Sequence, residues 1–365
     1  MAKSEPPLSG RYALRRPIAS GGYARLFEAE DLKLGRLVAI KVVAPAFATV
    51  TEATQRLARE GRIMGGIAHP NVCALTDIGQ MSNGAPFLVF ELLIGETLTQ
   101  RLERQAPLPV DQAVRIAEQI LHGLSAVHAR GVVHRDIKPD NLFLVELAPG
   151  VSLVKILDFG TAHVPGDDLV DGMQLTKTGF VVGTAEYMAP EQARGVRDFD
   201  ARIDVYATGV ILFEMLAGER PFARREPSER LKAIGFEKAP PLAEIAPRVP
   251  RGIARAVDVA LATDRERRHA DAAGFVMALR APVAPALTAV TRVLATPPVS
   301  PSVTPAGTGV AMPDTDDWDM PTRESGPPQS AMGHEFVIEH GNGGVTGHDD
   351  DGGEPAPHPS PYRKP

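Results

Sequence analysis

The hydrophobic period of this chain changes near residue 91, and that change restricts the folds open to it. From residue 11 to residue 91, short apolar runs such as RYALRRPIA, RLVAIKVVA and PFLVFELL are separated by glycine, proline or asparagine, a pattern that predicts β-strands. Between Thr51 and Gly66, the apolar residues Leu57, Ile63 and Met64 instead fall on one helical face. The first ninety residues therefore predict a sheet interrupted by a single helix.

Beyond residue 91 the pattern becomes helical. Ile116, Ile120, Leu124 and Val127 follow a helical spacing behind Asp111, which is the expected N-cap. Further helices are predicted over residues 201–217, 227–236, 251–263 and 270–280. A small β-rich lobe followed by a larger α-rich lobe leaves a cleft between them, and such clefts are where ligands bind.

Composition divides the chain a second time. Residues 281–365 hold 15 of the 33 prolines and few large apolar side chains, so we expect this segment to be disordered. The segment carries 11 acidic and 4 basic side chains, so the formal charge of −6 lies within it. Because the remainder is close to neutral, we expect no nucleic-acid binding, which normally requires a basic surface.

Cysteine usage and hydropathy bear on location. Cys73 is the only cysteine, so no intrachain disulfide can form, and the first residues, MAKSEPPLSGRY, have no apolar stretch typical of a secretory signal. No run approaches the roughly 20 apolar residues needed to span a bilayer. We expect a cytoplasmic protein with no membrane insertion.

The first candidate for ligand binding is the turn IASGGYARLF. After Ile18, Ala19 and Ser20 it contains Gly21 and Gly22, and residues without side chains let backbone amides approach phosphate oxygens. An ordinary hairpin turn has the same appearance, so this motif is weak evidence by itself.

A second candidate is Lys41, at the end of the run VAIK, together with Glu60 on the predicted helix. A lysine in an apolar strand is usually an edge residue that points to water. Held by Glu60, it could instead bind the α- and β-phosphates of a nucleotide. These two residues alone leave both interpretations open.

The segment VVHRDIKPDNLFL carries the most specific chemistry. Asp136, Lys138 and Asn141 would place a carboxylate, a cation and a metal-binding oxygen on one short loop. Phosphoryl transfer needs this set, to orient an attacking hydroxyl, stabilise the transferring group and bind magnesium. Asp158, in VKILDFGTA, can supply a second oxygen to the metal after an intervening strand pair.

Together, the ordered motifs VAIK, Glu60, HRDIKPDN, DFG and GTAEYMAPE resemble those of the eukaryotic-like, or Hanks-type, serine/threonine protein kinases, in particular the bacterial members. The resemblance runs from Tyr12 to Leu279. It implies an α+β, bilobal protein kinase fold over residues 11–280, with a small lobe over 11–91 and a large lobe over 95–280. A flexible N-terminus over 1–10 and the segment 281–365 would lie outside the domain.

The resemblance also implies roles for individual residues. Asp136 would be the catalytic base, Lys138 would lie beside the γ-phosphate of ATP, and Asn141 with Asp158 would bind Mg²⁺. Lys138 and Thr184 match the serine/threonine-specific pattern, with Thr184 positioning the substrate. The residues implied to surround the nucleotide are Ile18, Ala19, Ser20, Gly21, Gly22, Leu26, Ala39, Lys41, Glu60, Phe90, Glu91 and Phe143.

Regulation and internal support follow from the same resemblance. Arg135 precedes the base, as in kinases whose activation segment is ordered by phosphorylation, and Thr176 and Thr178 are the candidate phosphosites. Glu191 is expected to pair with Arg268. Asp204 is expected to brace the backbone of the catalytic loop.

Two departures from the family pattern are visible. The glycine-rich turn has Ala19 and Ala24 where the fullest pattern has glycine, which leaves the affinity for ATP open. Arg265 replaces the proline that the family pattern usually has three residues before its arginine, here Arg268. We expect this change only to loosen a turn.

Other functions are compatible with parts of the pattern. A pseudokinase or scaffold would bind nucleotide or partners without transferring phosphate, but the intact Lys41, Asp136, Asn141 and Asp158 argue against it. A small-molecule phosphotransferase is disfavoured by GTAEYMAPE, an element that holds peptide substrates. We expect protein substrates, while any docking role of segment 281–365 and the oligomeric state stay open.

Overall fold

The structure is a computed structural model that describes residues 7–20, 24–44, 51–160, 185–196 and 198–281. Several predictions fall outside these ranges: the glycines Gly21 and Gly22, the threonines Thr176, Thr178 and Thr184, most of the N-terminal segment 1–10, and the segment 281–365 apart from its first residue. Within the described ranges, no helix is both long enough and apolar enough to cross a membrane.

The first part of the chain forms an antiparallel five-stranded sheet. Its strands are β1 (Tyr12–Ser20), β2 (Ala24–Asp31), β3 (Arg36–Val43), β4 (Leu75–Gln80) and β5 (Pro86–Glu91), in the spatial order β1-β2-β3-β5-β4. Because side chains alternate along a strand, β3 places Val38, Ile40 and Val42 in a core on one face and Ala39 and Lys41 on the other. This alternation directs Lys41 toward the second lobe.

Helix α1 (Thr51–Met64) packs against the face of the sheet that carries Lys41. Its bounds closely match the helix predicted between Thr51 and Gly66. Gly61 permits the approach, since a Cβ at this position would lie 2.7 Å from a side-chain atom of Leu88 on β5. The neighbouring Glu60 is therefore carried into the space next to Lys41.

The second part combines helices with a small antiparallel sheet. The sheet has the order β6-β7-β8, with β6 (Gly95–Thr97), β7 (Leu142–Ala148) and β8 (Val151–Ile156). The helices are α2 (Leu98–Gln105), α3 (Val110–His128), α4 (Pro190–Ala193), α5 (Arg202–Ala217), α6 (Pro227–Phe236), α7 (Leu242–Ile245), α8 (Arg251–Ala260) and α9 (Ala272–Arg280). Helix α5 is buried on almost every side, and helices α3, α7, α8 and α9 pack around it.

One predicted helix start is wrong. Helix α3 begins at Val110 behind Pro109, which makes no side-chain capping hydrogen bond, whereas Asp111 lies inside the first turn. There its carboxylate pairs with Arg115 one turn later, at 2.8 Å. Proline suits a helix start because its φ is already near the helical value, so an acidic side chain is not needed as the cap.

Two buried carboxylates hold the large lobe together as expected. Glu191 forms two hydrogen bonds of 2.7 Å with the guanidinium of Arg268. Asp204, in the first turn of α5, accepts hydrogen bonds from the backbone amides of His134 and Arg135, both at 2.9 Å. The helix therefore supports the loop that carries Asp136.

Candidate active site

Lys41 lies at the centre of the polar groups between the lobes. Its Nζ is 2.8 and 2.7 Å from the two carboxylate oxygens of Glu60, and 3.0 Å from Oδ1 of Asp158. Burial by itself lowers the pKa of Lys41, but the two carboxylates outweigh it and raise the pKa above its ordinary value. The lysine is therefore charged, and it connects β3, α1 and the segment after β8.

The loop after α3 brings three of the predicted site residues into contact. Nζ of Lys138 is 2.7 Å from Oδ2 of Asp136. The amide nitrogen of Asn141, in a 3₁₀ turn, donates to the backbone carbonyl of Asp136 at 2.8 Å and to its Oδ2 at 3.1 Å. The Asp136 carboxylate is thus oriented by one cation and one amide.

The backbone of this loop is strained and held in place by α5. Arg135 has a φ of +70°, a left-handed conformation that is unfavourable for a residue with a side chain. The amide hydrogen bonds to Asp204 fix it there, and Asp204 also contacts Nε2 of His128 at 2.8 Å. Burial by itself raises the pKa of Asp204. The hydrogen bonds and the neighbouring His128 and His134 outweigh burial and hold this pKa below its ordinary value.

The second acidic residue, Asp158, follows β8 in another left-handed conformation, with a φ of +55°. Its Oδ1 accepts the backbone amide of Gly160 at 3.0 Å, and burial is outweighed by Lys41, so the pKa of Asp158 is lowered. Next to it, Phe159 is fully buried with its ring centroid 4.7 Å from that of His134. The amide of Leu157 donates to the carbonyl of Asn141 at 2.8 Å, which ties the two predicted metal ligands together.

These groups open onto a cavity of about 880 Å³ between the lobes. The predicted residues that line it and are described by the structure are Ile18, Ala19, Ser20, Leu26, Ala39, Lys41, Glu60, Phe90, Glu91, Lys138, Asn141, Phe143 and Asp158. The structure therefore gathers this set around one space large enough for a nucleotide. Asp136 lies behind it, in contact with Lys138 and Asn141.

Sequence analysis missed several apolar residues of the cavity wall. Leu92 and Leu93 end the predicted strand run PFLVFELL and follow the observed β5, and Leu157 directly precedes Asp158, so their positions beside predicted site residues were the available signal. Cys73 also lines the cavity, and burial raises the pKa of its thiol to about 12. This cysteine therefore contributes a neutral, apolar surface.

The oxygen atoms at the polar end suit a divalent cation that prefers oxygen ligands. Because the amide nitrogen of Asn141 is engaged by Asp136, its amide oxygen is left to bind a cation. Asp158 is half exposed to the cavity, with only Oδ1 in hydrogen bonds among the described residues. The described part of the chain has no group of three or more His, Cys, Asp or Glu arranged to hold a metal ion, so phosphate oxygens and water would complete such a site.

Comparison with known proteins agrees with this geometry. The model of the protein kinase domain family matches residues 12–269. The serine/threonine-protein kinase Pkn3 of Myxococcus xanthus is 37% identical over 279 residues, which cover 74% of this chain and 50% of the relative. PknA of Mycobacterium tuberculosis is 36% identical over 313 residues, covering 82% of this chain and 68% of the relative.

A probable serine/threonine-protein kinase PknB of Lactococcus lactis is 35% identical over 266 residues, covering 72% of this chain and 40% of the relative. The matched part thus spans between about two fifths and two thirds of these relatives' own lengths. The family match covers both lobes and every described residue of the cavity. The chain belongs to the protein kinase family, among the eukaryotic-like serine/threonine kinases of bacteria.

Proposed function

We propose that this chain is a serine/threonine protein kinase that transfers the γ-phosphoryl group of ATP to hydroxyl groups of protein substrates. The observation that carries the proposal is the convergence of Lys41, Glu60, Asp136, Asn141 and Asp158 around one interlobe cavity. These residues come from four separate parts of the chain, and phosphoryl transfer requires each kind of group that they supply.

Asp136 is the group that acts on the acceptor. Its carboxylate orients the attacking hydroxyl and accepts its proton as the new phosphate ester bond forms. Lys138 and Asn141 keep the carboxylate in one orientation, at 2.7 and 3.1 Å. Lys138 also supplies positive charge where negative charge develops on the transferred group.

Lys41 binds the α- and β-phosphates, and Glu60 prevents the lysine from turning into solvent. The base of the nucleotide occupies the apolar end of the cavity, formed by Leu26, Ala39 and Phe143, with Phe90 at the rear. The contacts of Gly21 and Gly22 with phosphate remain a prediction.

We assign Mg²⁺ as the metal, held by the amide oxygen of Asn141 and the carboxylate of Asp158. When bound, a divalent metal offsets the charge of the phosphates. Asp158 enters this role ionised, because Lys41 lowers its pKa. Lys41, at 3.0 Å from Oδ1 of Asp158, holds this carboxylate at the edge of the cavity.

Regulation is proposed on the same basis. Thr176 and Thr178 are the candidate autophosphorylation sites, and Thr184 is the candidate residue for positioning the acceptor. Arg135, whose guanidinium lies 4.6 Å from the ring centroid of Phe199, is the candidate partner for a phosphate on the activation segment. Use of ATP fits the cytoplasmic location that we propose.

The proposal is tested by incubating the full chain with labelled ATP, Mg²⁺ and a generic basic protein. We expect labelled phosphoserine and phosphothreonine, and mapping should find phosphate on Thr176 or Thr178. The variant Asp136→Asn should bind nucleotide like the unchanged protein but lose transfer by about a hundredfold to ten-thousandfold. Nucleotide binding without transfer by the unchanged protein would instead identify a pseudokinase.

A further inference from the structure

Lys155 is a buried cation that the proposed chemistry does not use. It lies on β8 with 9% of its surface exposed, and its Nζ is 2.7 Å from Oε1 of Glu91. Glu91 is its one ion-pair partner among the described residues. Because an apolar residue could fill such a position at lower desolvation cost, the pair points to a role in positioning.

Glu91 is the last residue of β5, where the chain passes from the small lobe to the large lobe. The same Oε1 accepts the backbone amide of Ala74 at 2.8 Å, and the amide of Glu91 donates to the carbonyl of Ala74 at 3.0 Å. Both the main chain and the side chain of Glu91 are therefore held to the segment before β4. Lys155 adds a bond from the large lobe.

That segment is itself joined to β8. The amide of Cys73 donates to the carbonyl of Ile156 at 3.0 Å, and the amide of Ile156 donates to the carbonyl of Asn71 at 2.9 Å. The side-chain amide of Asn71 reaches the carbonyl of Val154 at 3.0 Å. Since β8 leads directly to Asp158, these bonds connect the apolar end of the cavity with its polar end.

We propose that Lys155 is a positioning residue: through Glu91, it fixes the backbone that lines the nucleotide cavity relative to β8 and Asp158. The inference rests on the proposed function, because it assigns ATP to the cavity. Lys155 does not itself line the cavity, so its removal acts through Glu91, which does. What changes is the freedom of residues 91–93 to move against the large lobe.

The test is steady-state kinetics of Lys155→Met with ATP as the varied substrate. Loss of a partly buried ion pair should raise KM for ATP by about five- to tenfold. The value of kcat at saturating ATP should change by less than about twofold, because the reacting groups are untouched. Lys155→Arg retains the charge and should restore most of the affinity.

Arg202→Met is the matched control. The Arg202 side chain is 18% exposed and pairs with Asp200 and Glu266 in the large lobe, away from the cavity. Its loss should lower the thermal midpoint without changing KM for ATP. A general loss of stability would affect both variants alike, whereas the proposed role affects KM only in Lys155→Met.

A double-mutant cycle with Glu91→Gln tests whether the two residues act through each other. If they do, the double variant should raise KM little more than either single change. Additive effects, or a folded Lys155→Met with an unchanged KM, would overturn the inference. If Lys155→Met does not fold, Lys155→Gln takes its place under the same criteria.

Binding of a fluorescent ADP analogue separates this inference from the proposed function. Weaker binding by the Lys155 variant supports the positioning role even if the unchanged protein transfers no phosphate. Normal transfer by the unchanged protein, with equal ADP affinity in both, refutes the positioning role and leaves the kinase function intact.

Discussion

Two ion pairs with the same chemistry serve different ends in the two parts of this molecule. In the large lobe, Arg268 and Glu191 have side chains that are 0% and 4% exposed, and the guanidinium also donates to the carbonyl of Ala262 at 2.8 Å. In the cleft, Lys41 pairs with Glu60 and shares its charge with the half-exposed Asp158. Both cations have partners within the protein, but only Lys41 also lines the interlobe cavity.

The burial of an ion pair therefore does not by itself indicate its role. The role depends on whether one member still faces a space that a ligand can enter. Arg268 and Glu191 face none and serve the fold, while Lys41 lines the cavity. Substitutions that separate effects on stability from effects on activity test this difference.

The largest expected effect is on stability, in Arg268→Met. Removing the cation leaves Glu191 buried without its partner, which should cost about 3–5 kcal/mol in the free energy of unfolding, measured by urea denaturation. Arg280→Met is the control, because its pair with Glu118 is largely exposed on the arginine side and should cost less than about 1 kcal/mol. Equal losses in the two variants would contradict the structural role of Arg268.

Next in size is the loss of transfer in Lys41→Met. We expect kcat/KM for ATP to fall about a hundred- to a thousandfold, because a positive group is lost at the phosphates. Stability should fall less than in Arg268→Met, since burial already raises the pKa of Glu60 and lets it take up a proton once the lysine is gone. A stability loss as large as that of Arg268→Met, with transfer retained, would reverse the comparison.

A smaller effect, dependent on pH, is expected for Asp204→Asn. The pKa of Asp204 is lower in the folded protein than in the unfolded chain. Its ionised form therefore stabilises the fold fully at pH values above the unfolded pKa of about 4. This contribution disappears as the pH falls through the folded pKa. At pH 7 the variant should be less stable by roughly 2–3 kcal/mol, from loss of charged hydrogen bonds.

The difference between the two proteins should shrink when urea denaturation is repeated below pH 4. Asp200→Asn provides the control, because that carboxylate is 44% exposed and pairs with Arg202 rather than with the catalytic loop. A difference that grows on acidification would show that the carboxylate is not the stabilising form.

The smallest effect is expected for Arg265→Pro, which restores the proline of the family pattern. A loosened turn stays a prediction, to which the structure adds that Arg265 donates to the carbonyl of Asp198 at 2.8 Å and pairs with its exposed carboxylate. Loss of that surface contact lowers the free energy of unfolding, whereas proline raises it by reducing the conformational entropy of the unfolded chain. The two effects should cancel to within about 0.5 kcal/mol. Arg265→Ala separates the terms, because it removes the contact without adding proline; equal losses in both variants would exclude a contribution from proline.

Much of the fold was predictable because local rules govern it. Period-two and helical spacing predicted the five strands of the small lobe, helix α1 and the large-lobe helices α3, α5, α6, α8 and α9 to within a few residues. Strand β6 and helices α2, α4 and α7 were missed, since a strand of three residues and helices of four or eight residues are too short for a clear period. Asp111 was misplaced because sequence alone does not show whether a proline or an acidic residue starts a helix.

The polar part of the site was also predictable, for a different reason. Asp136, Lys138 and Asn141 lie within six residues, so one loop must bring them together. The contact of Lys41 with Asp158, 117 residues away, followed only from the resemblance to a family. The apolar wall formed by Leu92, Leu93 and Leu157 was not foreseen, because these leucines look like any other core residues.

By itself, the sequence determined the kinds of chemical groups available, their order and the local elements that carry them. Which distant groups meet became visible only once the chain was folded, as with Lys155 and Glu91. The physical reason is that local conformation depends on neighbouring residues, whereas a contact across the cleft depends on how whole strands and helices pack. Spacing along the chain does not encode that distance.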